Sequence, residues 1–148
     1  MPRQLVIILI MLMSLSSYAH AKTGDIVVSV ENLRNLNQGE LRIALFQKMD
    51  RVEMDFTKAL KVQSVIVTNA KLSVTFSALP YGDYAIGVLH DLNKDKKMET
   101  NWIGMPKEDL AVSNNAKGGP MGGPKWNQAK FTLNTKKLIL APIIISHM

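Results

Sequence analysis

The chain has 148 residues, with 18 basic and 12 acidic side chains, a formal net charge of +6 at pH 7 and no cysteine. The absence of cysteine excludes disulfides and a lipid-attachment cysteine, so the fold must be held together by its core alone. The lysines are scattered rather than clustered, which indicates solubility or weak attraction to anionic surfaces. A nucleic acid partner is not expected.

The first 21 residues have the pattern of a secretory signal peptide. Arg3 provides the positive start, an apolar run covers residues 5–15, and Ala-His-Ala at 19–21 is a small-residue cleavage site. The run is shorter than the roughly 20 residues that span a bilayer, which disfavours the alternative of an uncleaved anchor helix. We therefore expect an exported protein, periplasmic or secreted, with no membrane span after cleavage and with residues 22–148 as one domain.

Alternating apolar and polar residues, or runs of β-branched residues, predict strands through most of the mature chain. These segments are residues 26–30, 41–45, 62–67, 72–77, 129–133 and 138–145. The first two are joined either by a hairpin or by a crossing of a sandwich. Pro142 confines its part of the last strand to an edge or a bulge, because proline has no backbone N–H to donate.

Two stretches depart from this strand pattern. Asp50 and Glu53 form a plausible capping box, and the apolar residues after them recur at helical spacing, which predicts a short helix over residues 51–60. Residues 102–127 are rich in turn formers and predict a long irregular segment, with a short strand possible at 102–106. Long irregular segments in compact domains often carry function.

Residues 79–101 contain the most informative part of the chain. Pro80 and Gly82 predict a tight turn, and residues 84–90 follow as a strand that is apolar on both faces. A strand of this kind is central in its sheet rather than at an edge. Gly87 inside it predicts a bulge or the close approach of another backbone.

An acidic loop follows this strand. Asp91, Asn93, Asp95 and Glu99 match the oxygen-ligand positions one, three, five and nine of a calcium-binding EF-hand loop. Lys96 replaces the glycine of that pattern, and the bidentate glutamate and the preceding helix are missing, so the loop is not an EF-hand. Two alternatives stay open: a Ca²⁺ site at a strand end, with Ca²⁺ as the one possible cofactor, or a solvated loop whose side chains cap its own turns.

Two further groups of side chains were considered as sites. His90 and His147 are the histidines of the mature chain, which excludes a zinc site with several His or Cys ligands. A His–Asp–Ser arrangement of His90 with Ser113 has no supporting motif, so we assign no catalytic residue. Trp102 and Trp126 flank the irregular segment and are candidate ligand-binding residues, for example for a sugar or a peptide; alternatively each plugs an open end of the fold.

Seven or so short strands predict an all-β fold, an antiparallel β-sandwich of prealbumin-like or Ig-like type. Leu79-Pro80-x-Gly82-x-Tyr84, followed by an alternating strand, resembles the turn-and-strand signature of transthyretin-like (prealbumin-like) domains. A longer pattern consists of His90-Asp91-x-Asn93, Lys97-Met98-Glu99-Thr100-Asn101, Gly104-x-Pro106-Lys107-Glu108 and Ser113-Asn114-Asn115-Ala116. It resembles DUF2141, a bacterial family of small exported proteins of uncharacterised function, over residues 24–146.

This resemblance implies an exported prealbumin-like sandwich and no activity. Family members often have glycine where Lys96 stands here, which weakens the case for a tight metal-binding turn. The favoured hypothesis is a non-enzymatic binding or structural module, with a cell-envelope protein or a carbohydrate as the expected partner. The alternatives are a domain stabilised by Ca²⁺ through residues 91–101, and a small enzyme with a partly exposed pocket around His90.

Overall fold

Nine strands form two sheets in the computed structural model, which describes residues 20–147. The predicted signal peptide therefore lies outside the described residues, except for its last two positions. The strands are β1 (Thr23–Glu31), β2 (Glu40–Phe46), β3 (Lys61–Val65), β4 (Lys71–Pro80), β5 (Gly82–Asp91), β6 (Leu110–Val112), β7 (Phe131–Leu133), β8 (Lys137–Ile139) and β9 (Ile143–Ile144).

The two sheets are packed as a sandwich, which confirms the predicted all-β fold. The first sheet has the order β4-β1-β8, and β9 also pairs with β1. The second has the order β3-β2-β5-β6, and β7 also pairs with β5. Because β1 and β2 belong to different sheets, the connection between them is a crossing of the sandwich rather than a hairpin.

The first sheet is mixed, whereas a purely antiparallel sandwich was expected. β8 and β9 both run parallel to β1, and every other pairing of named strands is antiparallel. The predicted continuous strand over 138–145 is divided into these two short strands near Pro142. Proline cannot donate to a ladder, and the chain leaves β1 after Leu140 and returns to it at Ile143.

β5 is the central strand of the second sheet, and it is buried from Tyr84 to Asp91. Its inward face packs with β1, β2 and β4 in an inner core between the sheets that includes Ile26, Phe76 and Ile86. Its other face carries an outer core, in which Leu89 packs with buried side chains from the segments after β2 and β6. The prediction of a strand with two apolar faces is confirmed, and the C-terminal end of β5 is positioned by packing on both sides.

The glycine within β5 is explained by side chains rather than by a bulge. A Cβ atom on Gly87 would lie 3.0 Å from Phe46 Cε2 and 3.3 Å from Met54 Sδ. The pairing of β5 with β2 continues in regular register through this position. The glycine therefore leaves room for the outer core, and no second backbone approaches it.

The predicted helix over 51–60 is reduced to a single 3-10 turn at Phe56–Lys58. Asp55, rather than Asp50, caps this turn by accepting a hydrogen bond from the Thr57 amide at 3.1 Å. Val52 and Phe56 are both buried in the outer core, so burial of these side chains decides the path of the segment. One α-helical turn, α1, lies instead at Trp126–Ala129.

The segment between β5 and β6 contains a closed turn in place of the short strand considered at 102–106. Thr100 and Pro106 pair as an isolated antiparallel bridge, and the Lys107 amide donates to the Glu99 carbonyl oxygen at 2.9 Å. Within residues 20–147, no helix is long and apolar enough to cross a lipid bilayer.

Candidate functional site

Two carboxylates face each other where β2 begins and β5 ends. Glu40 on β2 is the cross-strand partner of Asp91 on β5. Directly opposed residues of an antiparallel pair project from the same face of the sheet, so both side chains lie on the face that carries the outer core. Like charges in this relation repel each other, and the pairing therefore needs a compensating interaction.

A third carboxylate joins the row from the opposite neighbour of β5. Leu89 pairs with Leu110, and the His90 amide donates to the Asp109 carbonyl oxygen at 2.9 Å. Glu108 lies two residues before β6, and its Oε1 accepts from the Leu92 amide at 3.1 Å, so its side chain reaches the end of β5 that carries Asp91. The start of β2, the end of β5 and the residues just before β6 thus bring Glu40, Asp91 and Glu108 to the same end of the second sheet.

The two inner carboxylates of this row are buried and only half satisfied. Asp91 is 0% exposed and Glu108 is 5% exposed. Asp91 Oδ2 accepts from the Lys96 amide at 2.8 Å, and Glu108 Oε1 accepts from the Leu92 amide at 3.1 Å. Asp91 Oδ1 and Glu108 Oε2 are buried without a hydrogen-bond partner among residues 20–147. Unpaired carboxylate oxygens are costly to bury, and a cation, a proton or a water molecule can each satisfy them.

Burial raises the pKa of the Glu108 carboxyl above its ordinary value, and the negative charges of Asp91 and Asp95 raise it as well. The Leu92 amide acts in the opposite direction, because it donates a hydrogen bond to the charged form. The net raised pKa means that Glu108 resists carrying a charge beside the other carboxylates.

This raised pKa predicts how stability depends on pH in a chelator. Since the folded pKa lies above the ordinary value of 4.5, the stabilising contribution of protonated Glu108 is complete below that value and is lost as pH rises through the folded pKa. Glu108→Gln carries no charge at any pH, so it should gain stability relative to the wild type across this window. Urea unfolding of both proteins from about pH 4 to about pH 8 measures the difference, and a constant difference would contradict the raised pKa.

Arg42 lies on the same face, opposite Leu89, but it does not neutralise the carboxylates directly. Its Nη1 donates to the Lys96 carbonyl oxygen at 2.7 Å, and its guanidinium stands 5.1 Å from the centre of the Phe56 ring. Among the described residues, neither Asp91 nor Glu108 forms an ion pair within 4.0 Å. Arg42 therefore holds the loop after β5 in place without supplying a counter-ion.

The other sequence-predicted metal ligands have local partners. Asn93 Oδ1 accepts from the Asp95 amide at 3.0 Å, and its Nδ2 donates to Glu99 Oε1 at 3.0 Å. Asp95 Oδ1 accepts from the Lys97 amide at 2.8 Å. These contacts are turn caps of the kind expected for a solvated loop. In residues 20–147, no three His, Cys, Asp or Glu side chains converge closely enough to hold a metal by themselves.

Of the predicted metal ligands, Asp91 is therefore the one with a buried oxygen that lacks a partner, and Glu108, which was not predicted, shares this property. The sequence analysis missed Glu108 because it lies 17 positions after Asp91, beyond the loop that carries the calcium-like spacing. The available signal was the pairing of strands: once the strand at 110–112 is placed beside β5, the residues just before it, including Glu108, come close to the end of β5.

A family model described as an uncharacterized protein conserved in bacteria, DUF2141, matches residues 28–140. The protein belongs to the DUF2141 family. No curated protein and no solved structure matches the chain. The family match runs from the middle of β1 to just after β8, and it includes the whole carboxylate row.

His90 of this DUF2141 protein is sealed inside the sandwich. It is 0% exposed, and its Nε2–H donates to the Gln38 carbonyl oxygen at 2.8 Å, because a carbonyl can only accept. Ser113 is also buried, and its hydroxyl accepts from the Ile86 amide and donates to the Ala129 carbonyl oxygen. The partly exposed pocket that an enzyme at His90 requires is not formed.

The two tryptophans of the DUF2141 domain have different environments. Trp102 is 94% exposed in the turn at 100–106. Trp126 begins α1, is half-buried against the outer core, and lines an open depression with Lys48 and Asp83. Within residues 20–147 the two indoles make no ring contact, so they do not form a shared platform.

Proposed function

We propose that this DUF2141 protein is an exported, non-enzymatic binding module in which Asp91 and Glu108 hold a calcium ion. The observation that carries the proposal is the pair of buried, unpartnered oxygens, Asp91 Oδ1 and Glu108 Oε2. Export is supported by the signal-peptide pattern of residues 1–21. A non-enzymatic role is supported by the burial of His90 and Ser113.

Calcium fits the chemistry of these residues better than a transition metal does. The available side chains are carboxylates, and hard cations such as Ca²⁺ prefer oxygen ligands. Two side chains do not complete the six to eight ligands of Ca²⁺, so backbone carbonyls, water or Glu40 at the end of the row would supply the others. A proton on Glu108 is the competing occupant, since the same oxygen cannot hold both.

A cation at this position would act on the segment between the two carboxylates. Asp91 ends β5 and Glu108 stands just before β6, so an ion held by both would tie the two ends of residues 92–107 together. This segment includes the closed turn at 100–106, which carries exposed apolar side chains. The cation would therefore hold residues 92–107 at both ends. We propose that this segment is the binding end of the domain.

Thermal unfolding of residues 22–148 in excess Ca²⁺ and in chelator tests the proposal. A ligand at 100 times its Kd adds about 2.7 kcal/mol to the stability of the folded state. For a domain of this size, that should raise the Tm by about 10 °C. The Asp91→Asn and Glu108→Gln variants should lose this response, whereas the matched control Glu53→Gln, at an exposed carboxylate outside the row, should keep it.

The same variants separate the cation from a purely structural explanation. In chelator, Asp91→Asn should be at least as stable as the wild type near neutral pH, because it removes a buried charge that has no counter-ion. An unchanged Tm of the wild type on addition of Ca²⁺ would overturn the proposal. So would an equal Ca²⁺ response in Asp91→Asn, since the ion would then bind elsewhere.

A further inference from the structure

The turn at 100–106 satisfies its own backbone groups. The Asn101 amide donates to the Met105 carbonyl oxygen at 2.8 Å, and the Gly104 amide donates back to the Asn101 carbonyl oxygen at 2.9 Å. The Asn101 side-chain Oδ1 accepts from the amides of Ile103 at 3.0 Å and Met105 at 2.9 Å. The turn therefore has one defined conformation and few N–H groups that depend on water.

The side chains at the tip of this turn are apolar and exposed. Trp102 is 94% exposed, Ile103 is 57% exposed and Met105 is 54% exposed. Three large apolar side chains thus stand close together in sequence on a turn that is closed by its own hydrogen bonds. Contiguous exposed apolar residues of this kind mark an interaction surface, whereas single ones need no explanation.

Basic residues precede and follow the apolar tip in the segment between β5 and β6. Residues 92–107 contain four exposed lysines and two acidic side chains, which gives the segment a net positive charge. The lysines are Lys94, Lys96, Lys97 and Lys107. None of the four forms an ion pair within 4.0 Å in the part of the chain that the structure describes. Their charges are therefore available to a partner.

We propose that the turn at 100–106 docks on the surface of a lipid bilayer that contains anionic phospholipids. Tryptophan favours the level of the lipid headgroups, where its ring is in contact with apolar chains and its N–H with water. Lysines close to such a surface are attracted by the anionic headgroups. Backbone groups that are bonded within the turn can leave water without being left unpaired.

Charge complementarity favours a bilayer over the other possible occupants. A second copy of the domain would bring the same four lysines against each other, which opposes self-association through this tip. A carbohydrate would be bound by hydrogen-bonding groups beside the indole, whereas Ile103 and Met105 offer none. The inference rests on the proposed role of residues 92–107 as the binding end, and it does not require the bound cation, because the bonds within the turn hold its conformation.

The test follows Trp102 itself. In a Trp126→Phe background, Trp102 is the only tryptophan, so its emission reports the tip directly. We expect its emission to shift to shorter wavelength with vesicles of phosphatidylcholine and phosphatidylglycerol, and to stay unchanged with phosphatidylcholine alone. Binding measured by co-sedimentation of the protein with both native tryptophans should weaken about tenfold between low and high salt, because salt screens the lysines. Both measurements are made in chelator and again in Ca²⁺.

Matched variants separate the tip from the rest of the surface. Trp102→Ala should weaken vesicle binding about tenfold or more, whereas Ile139→Ala, at a residue 69% exposed on β8 of the other sheet, should not change it. The double variant Lys94→Gln/Lys97→Gln should weaken binding to anionic vesicles several-fold. The control Lys136→Gln/Lys137→Gln removes the same charge from a different turn and should bind as the wild type does.

Three results would overturn the inference. The first is no binding to anionic vesicles in either chelator or Ca²⁺, and the second is equal binding to neutral and anionic vesicles. The third is a shift of Trp102 emission that depends on protein concentration in the absence of vesicles, which would indicate that the tip binds a second copy of the domain. The Ca²⁺ proposal fails separately, through an unchanged Tm. Vesicle binding in chelator would then still support the docking surface.

Discussion

Replacing Gly39 with alanine should destabilise the domain by about 3–5 kcal/mol. Single substitutions cause losses this large only when they break a specific structural requirement. Gly39 has a φ of +63°, which side-chain-bearing residues adopt at a cost. A Cβ atom here would also overlap the Asp91 carbonyl oxygen and lie 2.5 Å from Leu92 Cα. These are backbone atoms of β5 and its loop, so they cannot move aside without separating β2 from β5.

Gly104→Ala provides the matched control for this prediction. Gly104 also has a positive φ, +81°, but no atom lies within 4 Å of the position of its Cβ. The control therefore isolates the conformational cost, which we expect to be about 1 kcal/mol. Urea unfolding of both variants in chelator compares the two costs. If the two variants lost equal stability, the close approach of the Asp91 backbone would not be what requires Gly39.

Ser113→Ala should destabilise the domain by about 2–4 kcal/mol. The hydroxyl accepts from the Ile86 amide at 2.9 Å and donates to the Ala129 carbonyl oxygen at 2.6 Å, in a site where Ser113 is 1% exposed. Its removal leaves a buried donor and a buried acceptor unpaired, and each such loss costs about 1–3 kcal/mol. The Ser113 hydroxyl thus connects β5 to α1 by hydrogen bonds. The sequence analysis considered Ser113 only as part of a His–Asp–Ser arrangement.

Ser73→Ala removes a similar bond in a different environment. The Ser73 hydroxyl donates to the Val28 carbonyl oxygen at 3.1 Å, but Ser73 lies on an exposed part of β4, where water can replace it. We expect a change within about 0.5 kcal/mol. Thermal and urea unfolding of the two alanine variants test the difference, and comparable losses would mean that burial of the Ser113 hydroxyl has no special role.

The strands were predictable because one-sided burial imposes a period of two on the sequence. The alternation at 72–77 and the two apolar faces of β5 both correspond to what the sheets bury. The helix at 51–60 was not predictable in the same way. Val52 and Phe56 are four residues apart, a spacing that fits a helix equally well, and only their burial on the outer core shows that the chain is irregular there.

The candidate site shows a related limit. Asp91 could be singled out because it ends a strand and begins a spacing typical of calcium loops. Glu108 could not, because its proximity to Asp91 depends on which strand pairs with β5 and in which register. Similarly, the exposure of Trp102 and the half-burial of Trp126 depend on where the loops pack, and loop packing leaves no periodic signal in the sequence.

The parallel pairing of β8 and β9 with β1 has a consequence for the order of folding. β1 is completed on one side by β4 and on the other by residues 137–144, more than a hundred positions later in the chain. When the polypeptide appears N terminus first during synthesis, one edge of β1 therefore has unpaired backbone groups until nearly the whole chain has been made. Contacts so distant in sequence slow folding and prolong the exposure of aggregation-prone surface. Production of this protein should accordingly depend on chaperones that shield an unfinished sheet more than on the stability of the finished one.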